Sequence, residues 1–309
     1  MAWDVRGKNV LVTGATSGIG LEASVELARR GARMILVGRD PRRTETAVAQ
    51  VRARSGSPEV SHLLCDFSSQ ASIRRLAEEV LARHDRLDVL VNNAGGVNKK
   101  RSLTVDGIET TFAVNHLGYF LLTNLLLDLL VRSAPARVVT VASVGHRQGS
   151  LDFDDLGYER GYSIMRAYGR SKLANVLFAA ELARRLAGTG VTSNSLHPGS
   201  VATNIWSGAP LWAKPVIQLF LRPFFLSAEE GGATIVQLAA SPELEGVTGK
   251  YFEKGRPVEP APLARDEALA KRLWDVSAGM VGLDERACQR EPRAPDGTGR
   301  SGLEGSVEN

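Results

Sequence analysis

Cysteine is almost missing from this chain. The two present, Cys65 and Cys288, stand far apart with no Cys-x-x-Cys spacing, which excludes a disulfide framework and a thiolate zinc site and suits a reducing compartment. The five histidines show no paired ligand spacing either, so no metal is expected. Long hydrophobic runs are lacking. No stretch approaches the roughly 20 apolar residues that a membrane-crossing helix needs. The opening Met-Ala-Trp-Asp-Val-Arg-Gly-Lys leads straight into a strand pattern, without the form of a signal peptide or a transmembrane anchor. Charge of one sign is lacking too: 38 lysines and arginines face 34 acids, a net +4, with the arginines scattered among the acids. Nothing here selects nucleic acid as a partner. Together these absences imply a cytoplasmic protein.

What is present is an even supply of apolar residues, 43% of the chain, enough for one large core. Short runs rich in valine, isoleucine and leucine at 9–13, 33–37, 60–65, 87–92, 137–142 and 191–196 read as strands buried on both faces. Segments of helical period lie between them, at 19–30, 44–54, 71–83, 110–132 and 167–186, and later at 228–240 and 264–278, with a short strand at 250–252. This alternation predicts an α/β fold: a single-domain, doubly wound parallel sheet with helices on both faces. The domain is expected to span 1–288. Its segment 205–226, rich in leucine and aromatics and broken by Pro210, Pro215 and Pro223, reads as a substrate lid, with core packing, a subunit interface and a membrane-surface patch as alternatives. The polar, Pro- and Gly-rich 289–309 cannot bury enough apolar surface to offset its ordering entropy and is expected to be disordered.

Directly after the first strand comes Thr13-Gly14-Ala15-Thr16-Ser17-Gly18-Ile19-Gly20, and a helical pattern follows. Glycines at such a turn let backbone N–H groups approach a pyrophosphate at the positive end of the helix. In NAD-binding folds a carboxylate about 20 residues on accepts hydrogen bonds from the ribose 2′-hydroxyl. Here that slot falls near Gly38, which has no side chain, and Arg39 follows. A guanidinium there pairs with the 2′-phosphate of NADP, so NADP(H) is the expected cofactor and NAD(H) the alternative.

These motifs resemble the single-domain branch of the short-chain dehydrogenase/reductase family over about 8–283. The resemblance implies cofactor contacts at Gly14, Thr16, Ser17, Gly18, Ile19 and Gly20. It implies others at Asp66 and Phe67, at Asn92, Ala94 and Gly95 of the Asn-Asn-Ala-Gly motif, and at Pro198, Gly199, Val201 and Thr203 of a Pro-Gly loop. It places four catalytic positions on Asn115, Ser143, Tyr168 and Lys172. The chemistry suits them. Reducing a carbonyl needs hydride on one side and a proton at the oxygen on the other. Tyr168 and Lys172 are four apart, hence on one face of a helix; the ammonium there can lower the phenol pKa from about 10 and still reach the nicotinamide ribose. Ser143 closes a strand where its hydroxyl can meet the substrate oxygen, and by the resemblance Asn115 holds a water that relays protons through Lys172.

The runs Val114–Thr123, Ser171–Phe178 and Gly249–Phe252 look like the retinol dehydrogenase and related branch, which implies a lipophilic alcohol or carbonyl as substrate and homodimers or tetramers as the assembly. The hydrophobic N-terminal anchor usual in membrane retinol dehydrogenases has no counterpart in this sequence, which argues against retinol itself. A non-catalytic nucleotide-binding sensor or scaffold on the same fold is the alternative reading; such proteins typically lose the tyrosine or lysine, and both are present.

Overall fold

Val10 and Val12 enter one apolar cluster and Leu11 between them enters another. A strand turns successive side chains to opposite faces, so a run apolar at every position needs cover on both sides. β1 (Asn9–Thr13), β2 (Arg33–Gly38), β4 (Val89–Asn92) and β5 (Ala136–Val141) are buried in this way along most of their length, whereas β3 (Val60–Leu64) exposes Ser61 and Leu64 and β6 (Val191–His197) buries Ser193, Asn194 and Ser195. The structure, a computed structural model, describes residues 3–199 and 226–283. The calls at Val201, Thr203, 205–225 and 289–309 lie outside the described residues.

The strands form one sheet in the order β3-β2-β1-β4-β5-β6-β7-β8, where β7 is Tyr251–Glu253 and β8 Arg256–Val258. All neighbours are parallel except β7 and β8, which pair antiparallel. The helices are α1 (Gly18–Arg29), α2 (Pro41–Ser55), α3 (Gln70–Arg83), α4 (Thr110–Phe112), α5 (Gly118–Leu125), α6 (Leu127–Arg132), α7 (Ile164–Arg185), α8 (Ala228–Ala240) and α9 (Glu267–Met280). Side chains of α1, α2 and α8 cover one face and those of α3, α5, α6, α7 and α9 the other. The predicted doubly wound parallel sheet is therefore what the chain forms. Strand order reverses between β1 and β4, and a crevice at their carboxyl ends is where such folds bind ligands.

Two elements differ from expectation. The single helix expected over 110–132 is interrupted by a π turn at Ala113–Leu117 and again between Leu125 and Leu127. A π turn leaves the apolar pattern nearly intact, so periodicity does not reveal it. β8 is three residues long and contains Pro257, which is tolerated on an edge strand but weakens the strand signal. Among the described residues no helix is long and apolar enough to cross a membrane.

Candidate active site

The turn from β1 into α1 is built by close approach. Gly14 has φ +65°, and a Cβ there would lie 2.7 Å from the Ala94 Cα, so the turn tolerates no larger residue. Asn93, which sequence reasoning passed over for Asn92, ties the two loops together. Its Nδ2 donates to the Thr13 and Gly14 carbonyl oxygens at 2.8 and 3.1 Å. Thr13 Oγ1 accepts the Asn93 and Ala94 amides at 2.8 and 3.0 Å. Asn92 is fully buried and donates to Thr123 Oγ1 at 3.0 Å, so its side chain lies in the interior rather than on the cleft. Ser17 stands at the N-cap of α1 in extended conformation, exposed, and its hydroxyl caps no amide of the helix. The first N–H groups of α1 thus have no side-chain cap, the arrangement that receives a pyrophosphate.

At the end of β2, Gly38 is enclosed. A Cβ there would collide with Thr44 Oγ1 and come within 2.5 Å of Thr16 Cγ2. Thr44 is itself buried, with its hydroxyl bound to the Asp40 carbonyl at 2.7 Å. Asp40 caps α2 by accepting the Arg43 amide at 2.9 Å. Arg39 between them is exposed and makes no hydrogen bond or ion pair with a described residue. Asp66 Oδ1 accepts both the amide and the hydroxyl of Ser68, at 2.9 and 2.7 Å. Phe67 is buried, its ring edge filling the space beside Gly118.

Ser143, at the carboxyl end of β5, caps a short 3-10 turn, Val144–Gln148, with Oγ accepting the Gly145 amide at 3.1 Å. The turn rests on α7 through glycines: a Cβ on Gly149 would sit 2.5 Å from the Gly169 carbonyl, and one on Gly145 3.3 Å from Tyr168 Cε1. Without side chains between them the two groups come together: the same point beside Gly145 lies 3.5 Å from Ser143 Oγ, so the serine hydroxyl and the Tyr168 ring are neighbours. Lys172, one turn along, is buried, donates to the Val141 carbonyl at 2.9 Å, and holds its ammonium 5.6 Å from the Tyr168 ring centroid. Burial lowers the Lys172 pKa to about 8. Burial also raises the Tyr168 pKa, outweighing the Ser143 hydrogen bond. The expected lowering of the phenol by Lys172 is therefore not what governs Tyr168 here.

Asn115 sits in the π turn with its carboxamide fully used. Oδ1 accepts the Gly96 amide at 2.9 Å, and Nδ2 donates to the Gly96 carbonyl at 2.9 Å and to Ser171 Oγ at 3.1 Å. Ser171 in turn donates to the Tyr168 carbonyl at 2.8 Å. Asn175, which no motif singles out, donates to the carbonyls of Asn115 at 2.9 Å and Val141 at 3.3 Å, so it fixes the π turn against the strand end that holds Lys172. Ala94 and Gly95 border the same crevice: a Cβ on Gly95 would lie 2.9 Å from Asn115 Oδ1. Pro198 and Gly199 follow β6, with Leu226 packed against Gly199. His197 ends that strand half-buried, its Nδ1 sealed without a hydrogen bond. The rim is apolar. Val144 beside Ser143, Met165 one turn before Tyr168, and Leu226 are 40%, 58% and 37% exposed.

Residues 8–213 match the family model described as short chain dehydrogenase. The sequence is 47% identical over 294 residues to retinol dehydrogenase 14 of Homo sapiens, covering 90% of this chain and 88% of the human protein. Among solved structures it is similar to a Mycobacterium paratuberculosis protein described as uncharacterized, with TM-score 0.74 and 33% identity over 91% of this chain and 96% of that one. It is also similar to the Pseudomonas aeruginosa RhlG/NADP active-site complex, with TM-score 0.65 and 28% identity over 86% and 98%.

Proposed function

Because the chain belongs to the short-chain dehydrogenase family, we propose that it is an oxidoreductase working between NADP(H) and a lipophilic alcohol or carbonyl, with Tyr168 as the proton-transfer group. The observation that carries this reading is the placement of Ser143 Oγ and the Tyr168 ring side by side against Gly145 at the carboxyl end of β5, with Lys172 one turn behind. Nicotinamide, when bound, supplies or accepts the hydride. Tyr168 gives its proton to the carbonyl oxygen during reduction and takes it back during oxidation. Ser143 hydrogen-bonds the same oxygen and aligns it. Lys172, held on the Val141 carbonyl, places positive charge where it favours the phenolate left by proton transfer. Asn115 and Asn175 keep this group rigid.

The dinucleotide would rest on Gly14 and the uncapped start of α1, with Asp66, Phe67 and the Ala94-Gly95 loop bordering it. Preference for NADP(H) is supported twice. The Arg39 guanidinium has no hydrogen-bond or ion-pair partner among the described residues, and the position that holds a carboxylate in NAD-binding folds is closed by Thr44 and Thr16. Gly38→Asp alone is therefore expected to give no gain in NADH affinity and to lower stability by about 1–3 kcal/mol through overpacking, read from isothermal cofactor titration and urea unfolding. Tight NADH binding by this variant would show that the slot is open.

The exposed apolar side chains of Val144, Met165 and Leu226 near the Ser143 and Tyr168 positions and the likeness to retinol dehydrogenase 14 support a lipophilic substrate. The test is an NADPH-dependent turnover panel running from short polar aldehydes to medium-chain and aromatic ones. Rates should rise with apolar size. A preference for small polar carbonyls would overturn the substrate class, and tight NADPH binding with no turnover of any carbonyl or alcohol would overturn the enzymatic reading.

A further inference from the structure

Ser143 has one rotatable bond before its hydroxyl, so the hydroxyl stays aimed only if its backbone is held. On one side the turn that carries it rests on α7. On the other side stands His146, a buried residue with no part in the proton-transfer scheme. Both of its ring nitrogens are engaged. Nδ1 lies 2.7 Å from the Ser143 carbonyl oxygen, and Nε2 lies 3.0 Å from the Ala261 amide nitrogen. A carbonyl only accepts and an amide N–H only donates, so the imidazole is neutral with its proton on Nδ1. The Tyr251 ring closes a third side edge-on, with centroids 4.7 Å apart. The His146 amide also donates to the Ser143 carbonyl, at 3.0 Å, so backbone and ring converge on that one oxygen.

We propose that His146 is a positioning residue: its neutral imidazole donates from Nδ1 to the Ser143 carbonyl, with the Ala261 amide holding Nε2 as the acceptor, and this Nδ1 contact sets the aim of Ser143 Oγ at the Tyr168 phenol and the substrate oxygen. The proposal rests on the Ser143–Tyr168 reading above. It explains why a polar ring is buried at this place, where an apolar side chain would fill the space but leave the Ala261 amide without its acceptor and the Ser143 carbonyl with the His146 amide alone.

The experiment compares His146→Leu, His146→Gln and His146→Asn, with kcat measured under saturating NADPH and the NADPH Kd measured by titration. Asn carries a donor at the reach of Nδ1, whereas Gln reaches toward Ala261 and Leu offers no polar atom. Leu and Gln are expected to lower kcat by about ten-fold or more, the scale on which small misplacements act in catalysis, with NADPH Kd unchanged. Asn is expected to recover kcat to within about three-fold of the parent. If Leu does not fold, as loss of NADPH binding would reveal, the Gln and Asn pair carries the comparison. Parent-like kcat in Gln, or equal losses in Gln and Asn, would overturn the proposal, because the ring would then be filling space and no more. Ser143→Ala run alongside separates the two levels. If it keeps full turnover, the reading of the site falls; if it loses turnover while Gln does not, only the role of His146 falls.

Discussion

Tyr168→Phe is expected to lower kcat by about 100- to 10,000-fold, the range that positioned general acids supply, while NADPH affinity stays near that of the parent. The substitution removes one oxygen and keeps the ring that packs on Gly145, so the fold and the turn bearing Ser143 should persist. Ser143 would remain to hydrogen-bond a carbonyl, yet a serine hydroxyl is a far weaker acid than a phenol and has no ammonium behind it. The direction of the Tyr168 pKa matters here. Burial raises it, so the phenol is protonated at neutral pH and ready to donate during reduction. Oxidation needs the phenolate, which the buried Lys172 charge favours as the proton leaves. With the Lys172 pKa lowered to about 8, that charge is full below this pH and fades above it. Single-turnover and steady-state rates with a medium-chain aldehyde, beside a calorimetric NADPH titration, make the measurement. A kcat within a few-fold of the parent would remove Tyr168 from the chemistry. Loss of NADPH binding in step with kcat would instead show that the phenol serves mainly to hold the cofactor.

How much of this was legible beforehand depends on how local each cause is. The strands could be read because the central positions of β1, β2, β4 and β5 are apolar without a break, and only a sheet covered on both faces hides such runs. Tyr168 and Lys172 could be paired because a helix brings residues four apart together. Asn93 could not be read in this way. Its partners are backbone oxygens of Thr13 and Gly14, about 80 residues away, and no side-chain pattern marks them, so Asn92 looked the equal candidate until its burial against Thr123 was seen. Gly38 was legible as a missing carboxylate but not as a closed slot, since Thr16 and Thr44 reach it from two different elements. His146 is the same case: one partner is three residues away and the other 115. The π turn at Asn115 escaped because an extra residue in one turn leaves hydrophobic spacing nearly unaltered. Periodicity and short motifs therefore locate the elements and the candidate reacting groups, and what they miss is the set of long-range hydrogen bonds and glycine contacts that hold those groups still.

Arg39→Ala should weaken NADPH by about 10- to 100-fold and leave NADH within about two-fold, as expected for one charge-assisted hydrogen-bond partner worth about 1.5–3 kcal/mol. Three features make this residue the discriminator. It follows directly on the carboxyl end of β2, where the adenosine ribose lies in dinucleotide-binding folds. Its guanidinium is exposed and unpaired among the described residues, so no existing ion pair has to break for it to meet a phosphate. Its neighbour Asp40 could have neutralised it but is committed to the Arg43 amide at the start of α2. A contact to the 2′-phosphate alone predicts that the NADPH penalty shrinks as ionic strength rises, whereas the effect of the substitution on NADH stays small at every salt concentration. Parallel titrations of both nucleotides at low and high salt therefore give two independent readouts. Equal losses for NADPH and NADH would mean that Arg39 supports the nucleotide site in general. No loss for either would move phosphate recognition to the neighbouring arginines Arg42 and Arg43, whose replacement would then be the next comparison.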